Sequence, residues 1–161
     1  MKTLLPEDIE IVRAQIGREP RGMHSVVVRN AENQPAVVKV LPYDDGDPFP
    51  TLYWLTCPKL SKQISSLEGQ GRIKELENLL RTDMELCKQH IADHNHYHAE
   101  RNNFLIEIFG VDKASQLCPQ FEGRGVGGLA DYKRVRCFHM FYAAHLVTPN
   151  VVGKWVEEYL A

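Results

Sequence analysis

The segment at residues 48–58 constrains the fold more than any other part of the chain. Its middle is rich in residues that favour a pleated strand. Leu52 and Trp54 would point to one side of that strand, and Tyr53 and Leu55 to the other, so both faces are apolar. A strand with two apolar faces is typical of one covered on both sides. The chain must therefore supply a layer above and a layer below this strand.

Two further strands precede this segment, and helices follow it. Residues 25–29 and 36–41 have strand composition, and the link between them has the chemistry of a hairpin loop. After Cys57 and Pro58 the apolar period changes from two to about 3.6. We expect an α+β fold with a small antiparallel sheet of about three strands from the N-terminal third. This sheet would pack against several helices from the C-terminal two-thirds, in a single domain over residues 1–161.

The apolar spacing also predicts where the helices lie. A first helix is expected over residues 6–16, and a long one from residue 82 to about 109, where Gly110 would end it. A later helix over residues 131–147 is apolar almost all round and should be buried. Shorter helices are expected near residues 60–67 and 73–80 and at the end of the chain.

Charge and cysteine usage exclude several classes of protein. The net charge of -2 argues against a dedicated nucleic-acid binder, which is usually basic. No apolar run reaches the roughly 18–20 residues that a membrane helix needs. The four cysteines form no CxxC pair and are most simply free thiols in a reducing compartment. We therefore expect a cytoplasmic protein without a membrane or nucleic-acid partner, while the sequence leaves a homo-oligomer open.

Histidines recur along one face of the predicted long helix. His90, His94 and His98 follow one another at steps of four on its apolar side, with Arg101 near the centre of that side. Two histidines one turn apart suit zinc or a similar divalent ion, and Arg101 suits an anion. Alternatively, these side chains are hydrogen-bonded core residues, because buried polar groups need partners.

The late helix carries a second group of chemically active side chains. On a regular helix, Cys137 and His139 would point about 200° apart, so they could share an ion only if the first turn were distorted. Basic residues and glycines precede this helix, an arrangement that can bind an anion or can simply be a flexible connector. The loop at residues 17–22 allows the same two interpretations.

Several of these segments together resemble a known family. They are the loop at 17–22, the strand segment at 48–58, Gly127 with Gly128, the stretch at 136–139 and the ending at 150–153. The chain resembles a bacterial family known as domain-of-unknown-function family 501. This chain has Ala144 where the family more often has histidine, and Val151 where it tends to have proline. The resemblance implies no catalytic role for any residue.

Two hypotheses on function follow. The first is a small-ligand- or metal-binding protein, with hydrolase-like activity as one form, in which the Cys57 strand end meets the late helix around an anionic ligand such as a phosphate ester. The alternative is a non-enzymatic protein–protein interaction module with no active site. For the first hypothesis the candidates are Cys57, Cys137 and His139 for catalysis, Arg21, Arg101, Arg134 and Arg136 for the anion, and His94, His98 and His145 for a divalent metal such as zinc.

Overall fold

The sheet has the predicted size and topology. In the computed structural model, which describes residues 4–44 and 46–160, three antiparallel strands pair in the order β1-β2-β5. The remaining residues of the predicted domain, 1–3, 45 and 161, lie outside the described part. A two-stranded ribbon, β3 with β4, leads from β2 towards β5. The strands are β1 (Met23–Arg29), β2 (Pro35–Val40), β3 (Tyr43–Asp44), β4 (Asp47–Pro48) and β5 (Tyr53–Leu55).

Most of the chain beyond the sheet is helical, which confirms the α+β class. The long helix α4 contains Gly110 with φ 81° and ψ 164°, so the regular rod stops at the expected glycine before helical structure resumes. No helix within the described residues has both the length and the apolar character that crossing a membrane requires. The helices are α1 (Pro6–Ile16), α2 (Pro58–Gly69), α3 (Arg72–Thr82), α4 (Met84–Leu117), α5 (Phe138–Val147) and α6 (Val151–Glu157).

The sheet is covered on both faces, as the apolar strand segment indicated. On one face, Val12 of α1 packs with Val38 of β2, and Trp54 lies against this smaller cluster. On the other face, Tyr53 joins the main core together with Phe138 of α5. Full burial of each such apolar side chain is worth about 1.5–3 kcal/mol. The two packing layers therefore hold β5, and the chain that leaves it, in a defined place.

Helix α5 begins seven residues later than predicted. Val135 is fully buried although it lies outside any helix, and Arg136 adopts a left-handed conformation with φ 65°. Cys137 is extended, with φ -150° and ψ 123°, and occupies the N-cap position. The spacing of apolar residues predicted a helix through residue 135, but Val135 is instead buried in the core from a non-helical segment. As a result Cys137 is free of the helical constraint that would have turned it away from His139.

Candidate metal centre

Three side chains from two helices converge at the start of α5. Glu68 comes from the last turn of α2, Cys137 caps α5, and His139 lies in its first turn. Their ligand atoms all lie within 4.8 Å of one another, the one such group of three among the described residues. His139 Nδ1 lies 3.1 Å from Glu68 Oε1 and 3.8 Å from Cys137 Sγ. The arrangement brings one nitrogen, one oxygen and one sulfur ligand to a common point.

Helix α2 presents a polar face to this point. Ser61, Ser65 and Glu68 follow one another at steps of four and three, which puts them on one side of the helix. The second oxygen of Glu68 accepts a hydrogen bond of 2.8 Å from the backbone N–H of Phe138. A carboxylate is favourable at the positive N-terminal end of a helix. Glu68 therefore ties α2 to the start of α5 and is itself fixed in orientation.

The far side of the His139 ring is held by the same face of α2. Its Nε2 donates to the backbone carbonyl of Ser61 at 3.1 Å, and Ser65 Oγ lies 3.1 Å from the same nitrogen. This leaves Nδ1 turned towards Cys137 and Glu68. The hydrogen bond with Cys137 and the charge of Glu68 outweigh the opposing effect of burial and raise the pKa of His139 to about 9. This pKa favours the cationic form of the ring at neutral pH.

A pocket of about 270 Å³ opens beside the cluster. Cys137 and His139 form part of its wall, whereas Glu68 is not among its lining residues. Arg18 borders the pocket, and its guanidinium lies 5.3 Å from the centre of the Trp54 ring. The other lining residues are Ile16, Thr51, Tyr53, Leu55 and Met140.

The structure brings together two of the three predicted catalytic residues. Cys137 and His139 are in contact, and each is partly exposed. Cys57 is buried, with 7% of its surface exposed, at the N-cap of α2. It does not belong to the ligand cluster or to the pocket wall, and its catalytic role stays a prediction.

The predicted metal-ligating histidines each have a different partner. His94 is fully buried, and its Nδ1 accepts a 3.0 Å hydrogen bond from the backbone N–H of Val126. His98 Nδ1 lies 3.0 Å from the guanidinium of Arg101. His145 Nε2 lies 2.9 Å from a carboxylate oxygen of Glu157. The structure does not bring the three together in one group of ligands, and their part in metal binding stays a prediction.

Arg101 is enclosed by protein. Its side chain is fully buried and donates to the backbone carbonyls of Pro50 at 2.9 Å and Gly125 at 3.1 Å. The carbonyls of Phe121 and Arg124 accept from its other terminal nitrogen. These bonds join α4 to the segment before β5 and to the loop that precedes α5. Arg101 therefore acts on the backbone, and its predicted part in anion binding stays a prediction.

The other predicted anion-binding arginines lie at the surface. Arg21 pairs with Asp44 at 3.3 Å, and Arg134 pairs with Glu77 at 2.6 Å. Arg136 is exposed beside Cys137 in the chain. None of the three lines the pocket at the cluster. Their predicted part in anion binding stays a prediction.

Sequence reasoning missed Glu68 and Arg18 as site residues. The signal for Glu68 was the spacing of Ser61, Ser65 and Glu68, which marks a polar stripe on an otherwise ordinary amphipathic helix. Arg18 lies in the basic loop that the sequence singled out, but its position over Trp54 depends on how α1 packs on the sheet.

Comparison with known proteins identifies the family. The family described as "Protein of unknown function (DUF501)" matches residues 26–158, which include all of the cluster. The chain belongs to this family. No curated protein and no solved structure matches the chain. Membership of the DUF501 family therefore confirms the resemblance seen in the sequence, and the role of the cluster has to be argued from its geometry.

Proposed function

We propose that this protein binds a divalent metal ion, with zinc as the first candidate, at the cluster on α2 and α5. The ligands are Cys137 Sγ, His139 Nδ1 and one carboxylate oxygen of Glu68. The fourth position faces the adjoining pocket, where a small anionic ligand binds. The observation that carries this proposal is the convergence of the three ligand atoms within 4.8 Å of one another.

The distances support tetrahedral zinc. Zinc binds sulfur at about 2.3 Å and nitrogen or oxygen at about 2.0–2.2 Å, so neighbouring ligand atoms of a tetrahedral site lie about 3.3–3.6 Å apart. The distances from His139 Nδ1 are 3.1 Å to the Glu68 oxygen and 3.8 Å to the Cys137 sulfur. Both distances are within a few tenths of an ångström of these values, and the Cys137 sulfur and the Glu68 oxygen lie within 4.8 Å of each other. The cluster is also partly exposed, so an ion can enter.

The outer contacts of the ligands support the same proposal. Histidines that bind metals commonly donate their second ring N–H to a carbonyl or carboxylate, and ligating carboxylates are themselves hydrogen-bonded. His139 donates Nε2–H to the Ser61 carbonyl, and Glu68 uses its second oxygen for the Phe138 N–H. Both ligands are thus oriented before any ion binds.

The chemistry of such a centre is that of a Lewis acid with an open position. Three protein ligands and one exchangeable ligand are typical of catalytic zinc, whereas structural sites have four protein ligands. Zinc in such a site lowers the pKa of bound water and polarises a carbonyl or phosphoryl group. A hydrolase-like reaction on an anionic ligand is the function that these features favour.

A second candidate rests on the contact between Cys137 and His139. A cysteine in contact with an imidazole is the arrangement of a nucleophile with a neighbouring base. Cys137 occupies the N-cap of the ten-residue helix α5, and its sulfur lies 3.8 Å from the His139 ring. In this case the protein would act through a covalent step on the sulfur rather than through a metal ion.

The first experiment separates these functions. Cobalt(II) titrated into the purified protein should give an intense sulfur-to-cobalt absorption band, which requires a cysteine ligand. Cys137→Ser should abolish the band. Cys87→Ser is the matched control, because Cys87 is also partly exposed but lines a separate groove between α3 and α4, and its substitution should leave the band unchanged.

The outcomes discriminate between the candidates. A band that survives Cys137→Ser contradicts the proposed ligand set. Absence of metal binding, together with fast alkylation of Cys137 relative to Cys87, would favour the function in which the Cys137 sulfur acts as a nucleophile. Absence of metal binding with equal alkylation of both cysteines would leave the interaction module as the better description.

A further inference from the structure

We infer that the ligand at this centre is a small monoanion with an apolar body, with a carboxylate as the first candidate. Its charged group would lie between the open metal position and Arg18. This inference rests on the proposed function, and it names the class of ligand that the pocket admits. Three features carry it: the free charge of Arg18, the charge of the metal centre and the apolar walls of the pocket.

Arg18 is the cation that remains available on this face. Arg13 is paired with Glu10 and Glu19, and Arg21 is paired with Asp44. Arg18 forms no ion pair with any residue in the described ranges; its contact is with the face of the Trp54 ring, at 5.3 Å from the ring centre. Stacking on an aromatic ring orients a guanidinium and leaves its N–H groups free to bind an anion.

Arg18 also lines two neighbouring depressions of the surface. It borders the 270 Å³ pocket at the cluster and a neighbouring depression of about 420 Å³ that contains Arg21. Trp54 is shared by both depressions as well. Arg18 and Trp54 therefore form the boundary that the two depressions share.

The charge of the centre limits the charge of the ligand. A zinc ion with one thiolate, one carboxylate and one neutral imidazole has no net charge, because the two anionic ligands balance the two charges of the ion. Arg18 adds one positive charge to the pocket wall. A monoanion therefore neutralises the site, whereas a phosphate monoester, which carries about -1.5 to -2 at neutral pH, would leave unbalanced negative charge. This favours a carboxylate over the phosphate ester that the sequence suggested.

The pocket walls limit the rest of the ligand. Ile16, Leu55, Met140 and the Trp54 ring provide apolar surface around the polar edge formed by Arg18 and the cluster. A volume of about 270 Å³ is just below the usual range for ligand sites, which is about 300–1,000 Å³, so the ligand must be small. A ring or a short alkyl chain with one carboxylate fits these walls.

The test uses the full chain loaded with cobalt(II), whose visible spectrum reports a change in the fourth ligand. The probes are benzoate and hexanoate, with benzamide as the neutral analogue and phenyl phosphate as the dianion. We expect the carboxylates to change the spectrum and to bind at least about tenfold more tightly than benzamide or phenyl phosphate, as one charge-assisted hydrogen bond provides. Arg18→Gln should weaken the binding of benzoate by about tenfold, and Arg21→Gln should change the affinity for benzoate by less than about twofold.

The outcomes separate this inference from the proposed function. Equal cobalt loading of the wild type and Arg18→Gln shows that the variant is folded and that the metal ligands are intact. If cobalt loads but the carboxylates bind no better than benzamide, or if Arg18→Gln leaves their affinity unchanged, the inference is wrong and the metal centre stands. If the wild type fails to load cobalt, the proposed function fails, and the inference fails with it.

Discussion

Arg101 provides a quantitative test of what holds the site in place. Its buried guanidinium donates to the backbone carbonyls of Pro50, Phe121, Arg124 and Gly125. The first of these carbonyls precedes β5, and the others belong to the loop before α5. Replacement by methionine keeps an unbranched apolar stem, but it shortens the side chain and removes every donor. We therefore expect Arg101→Met to destabilise the fold without touching the ligand cluster.

The magnitude follows from which carbonyls lose all their donors. The Phe121 and Gly125 carbonyls also accept backbone N–H groups, from Arg124 at 2.9 Å and from Gly128 at 3.1 Å. The Arg124 carbonyl also lies 3.1 Å from His98 Nδ1. Among the described residues, the partly buried Pro50 carbonyl is therefore the one left without another donor. A buried orphaned acceptor costs about 1–3 kcal/mol. Loss of the other hydrogen bonds of the guanidinium increases this loss of stability. Part of the loss is offset, because the variant no longer has to bury a cation. A net loss of about 2–4 kcal/mol in the free energy of unfolding is expected.

Urea unfolding followed by tryptophan fluorescence measures this loss. With a urea dependence of about 1–3 kcal/mol per molar for a small protein, the midpoint should fall by roughly 0.7–4 M. Arg101→Lys keeps the positive charge but loses the planar set of N–H donors. Its free energy of unfolding should therefore lie between those of the wild type and Arg101→Met. Arg81→Met on the exposed surface should change stability by less than about 0.5 kcal/mol. A loss below about 1 kcal/mol for Arg101→Met would refute the role of Arg101 as a backbone clamp.

Three further predictions concern a buried histidine, a helix contact and the centre itself. Burial lowers the pKa of His94 to about 4, whereas a histidine in the unfolded chain has a pKa of about 6.5. As the pH falls from 6.5 towards 4, the unfolded chain therefore takes up a proton that the folded protein does not, and the free energy of unfolding should fall by roughly 3 kcal/mol. His94→Gln should flatten this decline in urea unfolding. Gly153→Ala would place a methyl group 2.0 Å from a ring carbon of His145, so thermal unfolding should show a loss of about 1–3 kcal/mol, whereas exposed Lys154→Ala should be nearly neutral. Glu68→Gln should weaken zinc binding by at least about tenfold in competition with a coloured chelator, and an unchanged affinity would contradict its role as a ligand.

Much of the fold could be predicted because local patterns and packing agree. The doubly apolar segment around Trp54 required two layers, and α1 and α5 supply them on opposite faces of the sheet. Gly110 ended the regular part of the long helix as expected, since its backbone adopts a positive φ. These features depend on residue type and spacing, which the sequence shows directly.

The site could be predicted only in part, because its geometry depends on tertiary packing. Cys137 and His139 were recognisable as chemically active, but their contact requires that α5 begin after Val135, a residue whose burial is set by the rest of the core. Glu68 lies 69 residues from Cys137 in the chain, and nothing local connects the two. The histidines on α4 had the right spacing for a metal, yet their inward face meets backbone groups such as the N–H of Val126.

X-ray absorption at the zinc edge of the purified, zinc-loaded protein tests the central claim most directly. The account predicts one sulfur neighbour at about 2.3 Å and two to three nitrogen or oxygen neighbours at about 2.0–2.2 Å, with the sulfur contribution absent in Cys137→Ser. A zinc shell without sulfur, a shell with several sulfurs, or a protein that retains no zinc would contradict it.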